Sequence, residues 1–244
     1  EYSVQIGSTI IPNFKYTAYI GGTPMAFEVV SASSIGKEYI YEVDPKPRGT
    51  FNILYRNDNL GNDSIDTGWF VHFKQGEMQS FDFNLDDSLP NRTVSINVNN
   101  INNNDVWLYT VNNDGFMDSK WTQVPAIAAT NVIYNTMTDR KLYQVNSRAG
   151  DQVDLVFGDG AFADIPLGRF RAYYRISNGL TYKINPDEMQ SIVIPVSYVS
   201  RSGRTETLTI RASLRYTVNN ATARETLSEI RQKAPQQYYT QDRM

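Results

Sequence analysis

The chain has 244 residues, of which 41% are hydrophobic and 20% charged, and its formal net charge at pH 7 is −3. This balance excludes wholesale disorder, and 23 Lys and Arg against 26 Asp and Glu residues exclude the basic excess of a general nucleic-acid binder. Because the chain has no Cys, disulfides, thiolate metal sites and cysteine nucleophiles are excluded as well.

Short strands are predicted throughout the first third of the chain, because aromatic and β-branched residues alternate there with polar ones between clusters of Gly, Pro, Asn and Asp. The predicted strands are 14–20, 39–43, 51–55, 69–73 and 81–85. Turns are predicted at 21–24 and 75–77, and a polar loop is predicted at 56–67.

His72 is the only histidine of the chain, so any catalytic triad or imidazole metal site would depend on this one side chain. It lies in the predicted strand 69–73, where alternation directs Val71 and Phe73 to the opposite face. The spacing of the neighbouring residues gives it no partner. We therefore interpret His72 as a structural or exposed strand residue, which leaves carboxylates, hydroxyls and tyrosines as the available chemistry.

The strand pattern continues through the middle of the chain. The predicted strands are 94–98, 106–109, 121–124, 153–157 and 170–176, with a turn at 112–115. The clearest hairpin joins 192–199 to 205–216 through the polar segment 200–203. In its second arm, alternate residues from Leu208 to Tyr216 would share one apolar face.

Only the C-terminal segment carries a helical signal. Thr222 and Glu225 are spaced as a capping box, and Pro235 would end the helix. Apolar residues recur between them at helical spacing: Ala223, Leu227, Ile230 and Ala234. The segment is therefore predicted to begin as a capped helix.

These elements predict a mainly β fold of the α+β type, with two β-rich domains of mostly antiparallel strands and a short C-terminal helical segment. The predicted N-terminal β-rich subdomain covers residues 1–66. The central β-domain, with the long hairpin, covers 67–218, and the capped helix and tail cover 219–244.

The segment Phe157-Gly158-Asp159-Gly160 is the strongest candidate for a ligand loop, since glycine-rich loops can direct backbone amides at a phosphate. Phosphate loops follow the patterns GxxxxGK[ST] or GxGxxG and lead into a helix. Here a turn at 166–168 and another strand follow instead. We predict a structural turn in which the glycines supply positive φ angles.

Acidic residues offer two further candidate sites. The loop 57–63 resembles the start of an EF-hand calcium loop. The position where an EF-hand needs a bidentate Glu is occupied here by Gly68 or Trp69, and no helices flank the loop, so we predict an exposed loop. A hydrolase would need paired carboxylates. The pairs Asp86–Asp87 and Asp187–Glu188 lie in turn-like contexts and are interpreted as solvated. No catalytic residue, metal site or cofactor is predicted.

The aromatic composition leaves one binding function open. The 16 Tyr and 3 Trp residues, together with many Asn and Asp, are typical of a carbohydrate-binding β-module that recognises a receptor. They are equally typical of ordinary sheet faces and of protein interfaces.

Two groups of segments together resemble a known family. The first group is VFGDG at 156–160, IPLG at 165–168 and RAYYRISNG at 171–179. The second group is NAT at 220–222, ETL at 225–227, IR at 230–231, AP at 234–235 and TQDR at 240–243. With KQGE at 74–77 and WTQV at 121–124, they resemble the baseplate J-like family of contractile-tailed bacteriophages over residues 70–244.

This resemblance implies a structural role in the virion rather than an enzymatic one. Members of the family build the inner ring of the tail baseplate, which is assembled in the host cytoplasm. The implied partners are the chain itself, as a dimer and ring, and other baseplate wedge, hub and sheath-initiating proteins. Neither nucleic-acid binding nor membrane insertion is implied.

The resemblance also assigns residues. The structural signature residues are Phe157, Gly158, Asp159, Gly160, Pro166, Gly168, Tyr174, Arg175 and Gly179. A partner interface is implied for Thr222, Glu225, Arg231, Pro235, Gln241, Asp242 and Arg243.

The long hairpin departs from the compact family pattern and is similar to the elaborated wedge proteins of T-even type phages. Family members continue past the Gln-Asp-Arg segment into a Val-Thr-x-x-Asp-Tyr motif, so this chain is expected to be a piece of a longer one.

Overall fold

The computed structural model describes residues 2–4, 14–30, 32–35, 39–42, 53–56, 68–127, 140–161, 163–178 and 183–219. Within these ranges the chain forms seventeen strands and two short 3₁₀ helices, Ala149–Asp151 and Pro186–Met189. The strands in the first part are β1 (Tyr2–Val4), β2 (Lys15–Ile20), β3 (Thr23–Val29), β4 (Ala32–Ile35), β5 (Tyr39–Glu42), β6 (Ile53–Arg56), β7 (Gly68–Phe70) and β8 (Phe73–Gln75). Those in the second part are β9 (Glu77–Leu85), β10 (Thr93–Ile96), β11 (Ile101–Val111), β12 (Met117–Val124), β13 (Leu142–Ser147), β14 (Val153–Phe157), β15 (Gly168–Ile176), β16 (Ile192–Val199) and β17 (Thr205–Ala212).

The first core lies between a three-stranded sheet, in the order β2-β3-β8, and the hairpin β16-β17. Alternation directs one face of each strand inward, so Ala18, Phe27 and Ile194 are all almost completely buried. Met189, from the 3₁₀ helix that precedes the hairpin, joins the same cluster. The first core thus combines the beginning of the chain with residues almost two hundred positions later.

The second core lies on one face of a seven-stranded sheet with the order β10-β14-β13-β12-β11-β15-β9. All neighbouring strands are antiparallel except β12 and β13, which run parallel. The buried residues of this core are Leu85, Ile96, Ile101, Val106, Leu108, Trp121, Tyr143, Val153, Leu155, Phe157, Phe170, Ala172 and Tyr174. Two smaller sheets, β1-β6-β7 and β4-β5, complete the described strands.

The seven-stranded sheet is strongly curled. Phe157 on β14 and Phe170 on β15 are four strand positions apart, which would separate them by about 19 Å in a flat sheet. Their ring centroids are only 6.0 Å apart, and Trp121 lies 5.5 Å from each ring. The sheet therefore bends until its inner face packs against itself around these three aromatic rings.

The prediction of a mainly β fold is confirmed, but some boundaries were wrong. The predicted strand 69–73 is two strands, β7 and β8, because the chain changes sheets at Val71 and His72. The predicted turn at 75–77 is only a bend at Gly76, after which the chain continues as β9. Pro24 lies inside β3 and not in a turn.

The long hairpin is confirmed, although its second strand ends at Ala212 and not at Tyr216. Beyond that point the backbone N–H of Leu214 donates to the carbonyl oxygen of Met189, 2.9 Å away. The predicted helix lies outside the described residues, as does the segment 57–67 where the first domain boundary was predicted. The division into three segments stays a prediction.

Candidate functional site

The two cores meet where the chain passes from β8 directly into β9, through Gly76. Charged side chains from six strands of the two sheets converge at this point. Three cations and three carboxylates alternate along a chain of ion pairs, in the order Glu77, Lys15, Glu28, Arg175, Asp105 and Lys74. We call this cluster the charged junction.

Arg175 and Glu28 are the most deeply buried members of the charged junction, with exposed fractions of 1% and 3%. Nη2 of Arg175 lies 3.8 Å from Oε2 of Glu28, which also accepts a 2.9 Å hydrogen bond from the backbone N–H of Met78. Because Glu28 belongs to β3 and Arg175 and Met78 belong to the seven-stranded sheet, this carboxylate joins one core to the other.

Asp105 is the second buried carboxylate of the charged junction, and it lies where the pairing of β11 with β15 shifts register. Its Oδ1 accepts a 2.7 Å hydrogen bond from Nζ of Lys74, and its Oδ2 accepts one of 3.0 Å from Nδ2 of Asn102. Nη1 of Arg175 lies 3.9 Å from Oδ2. Lys74 is on β8, so Asp105 provides a second ionic contact between the cores.

Lys15 completes the charged junction on the solvent side. Its Nζ lies 3.3 Å from Oε1 of Glu77 and 3.7 Å from Oε1 of Glu28. Oε1 of Glu28 makes no hydrogen bond to any residue in the described ranges. This oxygen is therefore stabilised there by charge rather than by a hydrogen bond.

His72 lies next to the cationic side of the charged junction. Burial lowers the pKa of its imidazole below the ordinary value of 6.5, and the positive charges of Lys74 and Arg175 lower it further. Its carbonyl oxygen accepts a 3.0 Å hydrogen bond from the N–H of Val30, which fixes the backbone between β7 and β8. The structural interpretation of His72 agrees with this position.

Gly76 is the backbone element that lets the two sheets approach. Its φ is +111°, and a Cβ there would overlap the carbonyl oxygen of Ile176 and lie 2.9 Å from Cγ of Arg175. Only glycine accommodates both this positive φ and this close approach of β15 without a shift of the backbone. The position therefore allows β15 and the Arg175 side chain to pack directly on the strand crossing.

The turn 157–160 is held by internal hydrogen bonds. The N–H of Gly160 donates to the carbonyl oxygen of Ala163 at 3.0 Å, and the N–H of Ala161 donates to Oδ1 of Asp159 at 2.9 Å. Arg140 donates to the carbonyl oxygen of Gly160 at 2.6 Å and to Asp164 at 3.0 Å. Because these amides already have acceptors in or next to the turn, the geometry is that of a structural turn and not of a phosphate loop.

The glycines of this turn differ in their roles. Gly160 has φ +89°, as predicted, whereas Gly158 does not have a positive φ and that part of the prediction is wrong. A Cβ on Gly158 would lie 2.5 Å from Cβ of Ala163. Gly158 is therefore required by close packing rather than by backbone conformation.

The signature residues divide between two places in the molecule. Phe157, Gly158, Asp159 and Gly160 form the turn, Pro166 is buried after it, and Gly168 begins β15 with φ +95°. Tyr174 and Arg175 lie near the other end of β15, about 20 Å further along the strand. Tyr174 faces the second core, where burial raises the pKa of its phenol, and Arg175 faces the charged junction.

The remaining predicted site residues cannot be placed. Gly179 and the whole predicted interface lie outside the described residues, the latter being Thr222, Glu225, Arg231, Pro235, Gln241, Asp242 and Arg243.

Of the acidic pairs, Glu188 has a specific structural role. Its carboxylate accepts 2.8 Å hydrogen bonds from the backbone N–H groups of Asn185 and Gly21. These bonds lower the pKa of Glu188 and join the 3₁₀ helix Pro186–Met189 to the turn between β2 and β3. Among the described residues, no group of three His, Asp or Glu side chains is placed to hold a metal ion.

Sequence reasoning missed most of the charged junction. Glu28 alternates with buried Phe27 and Val29, a pattern that predicts a solvent-facing side chain. That face is instead covered by the second sheet. Asp105 follows three Asn residues and lies just outside the predicted strand 106–109. Only the segment 74–77 gave a signal, because it contains Lys74, Gly76 and Glu77.

Comparison with known families gives one match. The model of the domain of unknown function DUF8360 matches residues 2–217. The chain belongs to this family. No curated protein and no solved structure matches the chain. The DUF8360 match includes both cores and the charged junction. Within the described residues, no helix is long and apolar enough to cross a membrane.

Proposed function

We propose that this DUF8360 chain is a structural component of a phage tail baseplate wedge and forms part of the inner baseplate ring. The observation that carries the proposal is the position of its signature residues. Arg175 joins two cores, and Gly158 and Gly160 belong to a turn held by Arg140. Residues in such positions stabilise a scaffold, which is the role that the resemblance to baseplate J-like proteins implies.

In this role the chain acts in the virion tail through contacts with other copies of itself and with wedge, hub and sheath-initiating proteins. It performs no catalysis. The segment 219–244 contributes a partner contact, because its cations and carboxylates, among them Arg231 and Arg243, are more numerous than a lone helix cap requires. Joining the two β cores by buried ion pairs gives such a subunit a fixed shape, as a ring component needs.

Reconstitution of the wedge tests this proposal. Purified full-length protein is mixed with the other baseplate components of the same phage, and complexes are resolved by gradient sedimentation. We expect co-sedimentation that is lost in the double variant Arg231→Glu, Arg243→Glu. The control is Arg169→Glu, a charge reversal at an exposed residue of β15. A protein that sediments as a monomer and binds none of the components would contradict the proposal.

A carbohydrate-binding function is the second candidate, because two large aromatic side chains are well exposed. Tyr19 has an exposed fraction of 68% and Trp69 one of 61%, and such rings can stack on the apolar faces of sugars. A glycan array would support this function if it gave specific binding that Trp69→Ala removes. Uniform background binding would exclude it.

A further inference from the structure

The hairpin β16-β17 has two edges that differ chemically. It forms a sheet of its own, and neither strand pairs with a third strand within the described ranges. One face packs on the first core through Ile192, Ile194 and Val196. The two outer edges carry backbone N–H and C=O groups that another strand could pair with.

The edge of β16 is protected by Pro195, which lies opposite Thr209. The N–H of Ser200 donates to the carbonyl oxygen of Arg204 at 2.8 Å, which makes 200/204 a hydrogen-bonded pair. In an antiparallel hairpin every second pair is hydrogen-bonded, so the next such pairs are 198/206, 196/208 and 194/210. The ring nitrogen of Pro195 therefore faces away from β17. A proline at this position removes a donor from the outer edge and prevents regular pairing there.

The edge of β17 has no such protection. Eight residues pair with β16 without a register shift, and the strand contains neither Pro nor Lys. By the same alternation, the N–H and C=O groups of Thr205, Thr207, Thr209 and Arg211 face outward. Residues 201–209 are all exposed, and Leu208 keeps 39% of its surface exposed on the face that carries the core. A regular edge without Pro or Lys is a template for another strand.

We propose that β17 pairs in antiparallel fashion with β17 of a second copy of this chain, across a two-fold axis at Thr209. In this arrangement Thr209 lies opposite the same residue of the second copy, and Leu208 lies opposite Ile210. The hairpins of the two copies then form one four-stranded sheet, with Pro195 protecting both of its outer edges.

The strand sequence is complementary to itself in this register. The two Leu208–Ile210 contacts would cover apolar surface that is partly exposed in the single chain. On the other face Thr207 is opposite Arg211, so no like charges face each other. If the two-fold axis lay at Leu208 instead, Glu206 of each copy would be opposite Ile210 of the other. This register is less favourable because it places a charged side chain against an apolar one at two positions. Self-complementarity is what a two-fold interface requires.

This inference rests on the proposed function only in assuming that the chain associates with itself, and it does not use the segment 219–244. Its test needs purified chain and no other baseplate component. The two proposals can therefore fail independently.

Cysteine cross-linking tests the pairing directly, because the chain has no Cys and any disulfide must join two copies. In the proposed register the two residues at 209 form a hydrogen-bonded pair with Cα atoms about 5.5 Å apart, a distance that a disulfide accepts. Under mild oxidation we expect Thr209→Cys to form a covalent dimer readily. We also expect sedimentation of the unmodified chain to show a concentration-dependent dimer.

Two control variants test the register and the edge. Thr207→Cys lies on the same edge, but its counterpart in the second copy is about 13 Å further along the strand, so it should cross-link much more slowly. Ser202→Cys, in the exposed loop of the hairpin, measures random collision. If Thr209→Cys cross-links no faster than either control, or if the chain stays monomeric at all concentrations, the proposal is wrong.

Thr209→Pro gives an independent result, since it transfers the protection of Pro195 to the opposite edge without removing a bond to β16. We expect it to abolish the dimer while the far-ultraviolet circular dichroism stays native. An unchanged dimer in a folded Thr209→Pro variant would overturn the proposal. If this variant does not fold, the cross-linking rates decide.

Discussion

Arg175 has an exposed fraction of only 1%, and both of its carboxylate partners are buried as well. Its guanidinium lies 6.0 Å above the ring of Trp107, which adds a cation–π contact to the two ion pairs. Burial of charges is costly unless the partners remain in place. Each member of the charged junction therefore depends on the others, and removal of one leaves a buried charge without its full complement.

Substitution of Glu28 tests this dependence. In Glu28→Gln the side chain keeps its size but Arg175 loses a buried counter-charge, so we expect the free energy of unfolding to fall by about 3 kcal/mol. Urea denaturation measures the change. The control Asp118→Asn removes a carboxylate at an exposed position and should change stability by less than about 0.5 kcal/mol. Equal effects of the two substitutions would show that Glu28 is not a buried partner.

The single histidine gives a pH dependence of definite sign. The pKa of His72 is lowered in the folded chain, whereas the ordinary value is 6.5, so between these two values the unfolded chain binds more protons. The contribution of His72 to the stability of the folded chain is fully present above about pH 6.5, and it is lost as the pH falls from there to the folded-state pKa. We expect His72→Asn to lack this loss between pH about 7.5 and 5.5.

Chemical denaturation of the wild-type chain and of His72→Asn across this pH range measures the difference. Because the chain has no other histidine, few other groups titrate there. Parallel stability curves for the two proteins would contradict the position assigned to His72.

At the scale of the elements, one nearly continuous strand takes part in two sheets. β8 pairs with β3 in the first sheet, and β9 pairs with β15 in the second, with only Gly76 between them. The N–H of Gly76 donates to the carbonyl oxygen of Ala26 at 2.8 Å, so even the crossing residue is hydrogen-bonded to the first sheet. The crossing is therefore a packed and bonded element rather than a linker.

Substitution of Gly76 should be much more damaging than substitution of a glycine in a loop. Gly76→Ala places a Cβ against the Ile176 carbonyl and the Arg175 side chain, so we expect a loss of about 3 kcal/mol, from backbone strain together with overpacking. Gly203 also has a positive φ, +77°, but a Cβ there meets no atom within 4 Å. Gly203→Ala should cost only about 1 kcal/mol.

Thermal unfolding monitored by near-ultraviolet circular dichroism compares these two variants. If Gly203→Ala is as destabilising as Gly76→Ala, then backbone conformation alone accounts for the loss, and close packing at the crossing contributes nothing.

Local patterns in the sequence predict strands well but do not predict how the sheets combine. The alternation in 192–199 and 205–212 identified the hairpin, because one face of each strand is buried. Around Glu28, alternation favours a solvent-facing side chain, since no local pattern indicates that β9 and β15 cover that face. Arg175 was selected only through a resemblance, and its partners, Glu28 and Asp105, come from strands 147 and 70 residues away.

At the scale of the whole molecule, the two main hydrophobic cores of the described residues meet at the charged junction. The first core combines residues 18–29 with 184–196, and the second is built from the curled sheet between residues 85 and 174. Glu28 and Lys74 extend from the first sheet to Arg175 and Asp105 of the second. We therefore expect the two cores to unfold together, because the charged junction couples them.

Differential scanning calorimetry at neutral pH tests this coupling most directly. For the wild-type chain we predict one transition, with equal calorimetric and van't Hoff enthalpies. For the double variant Glu28→Gln, Asp105→Asn, which removes both buried carboxylates but leaves both cores intact, we predict two separate transitions. Two transitions in the wild-type chain, or a single unshifted transition in the double variant, would contradict the account.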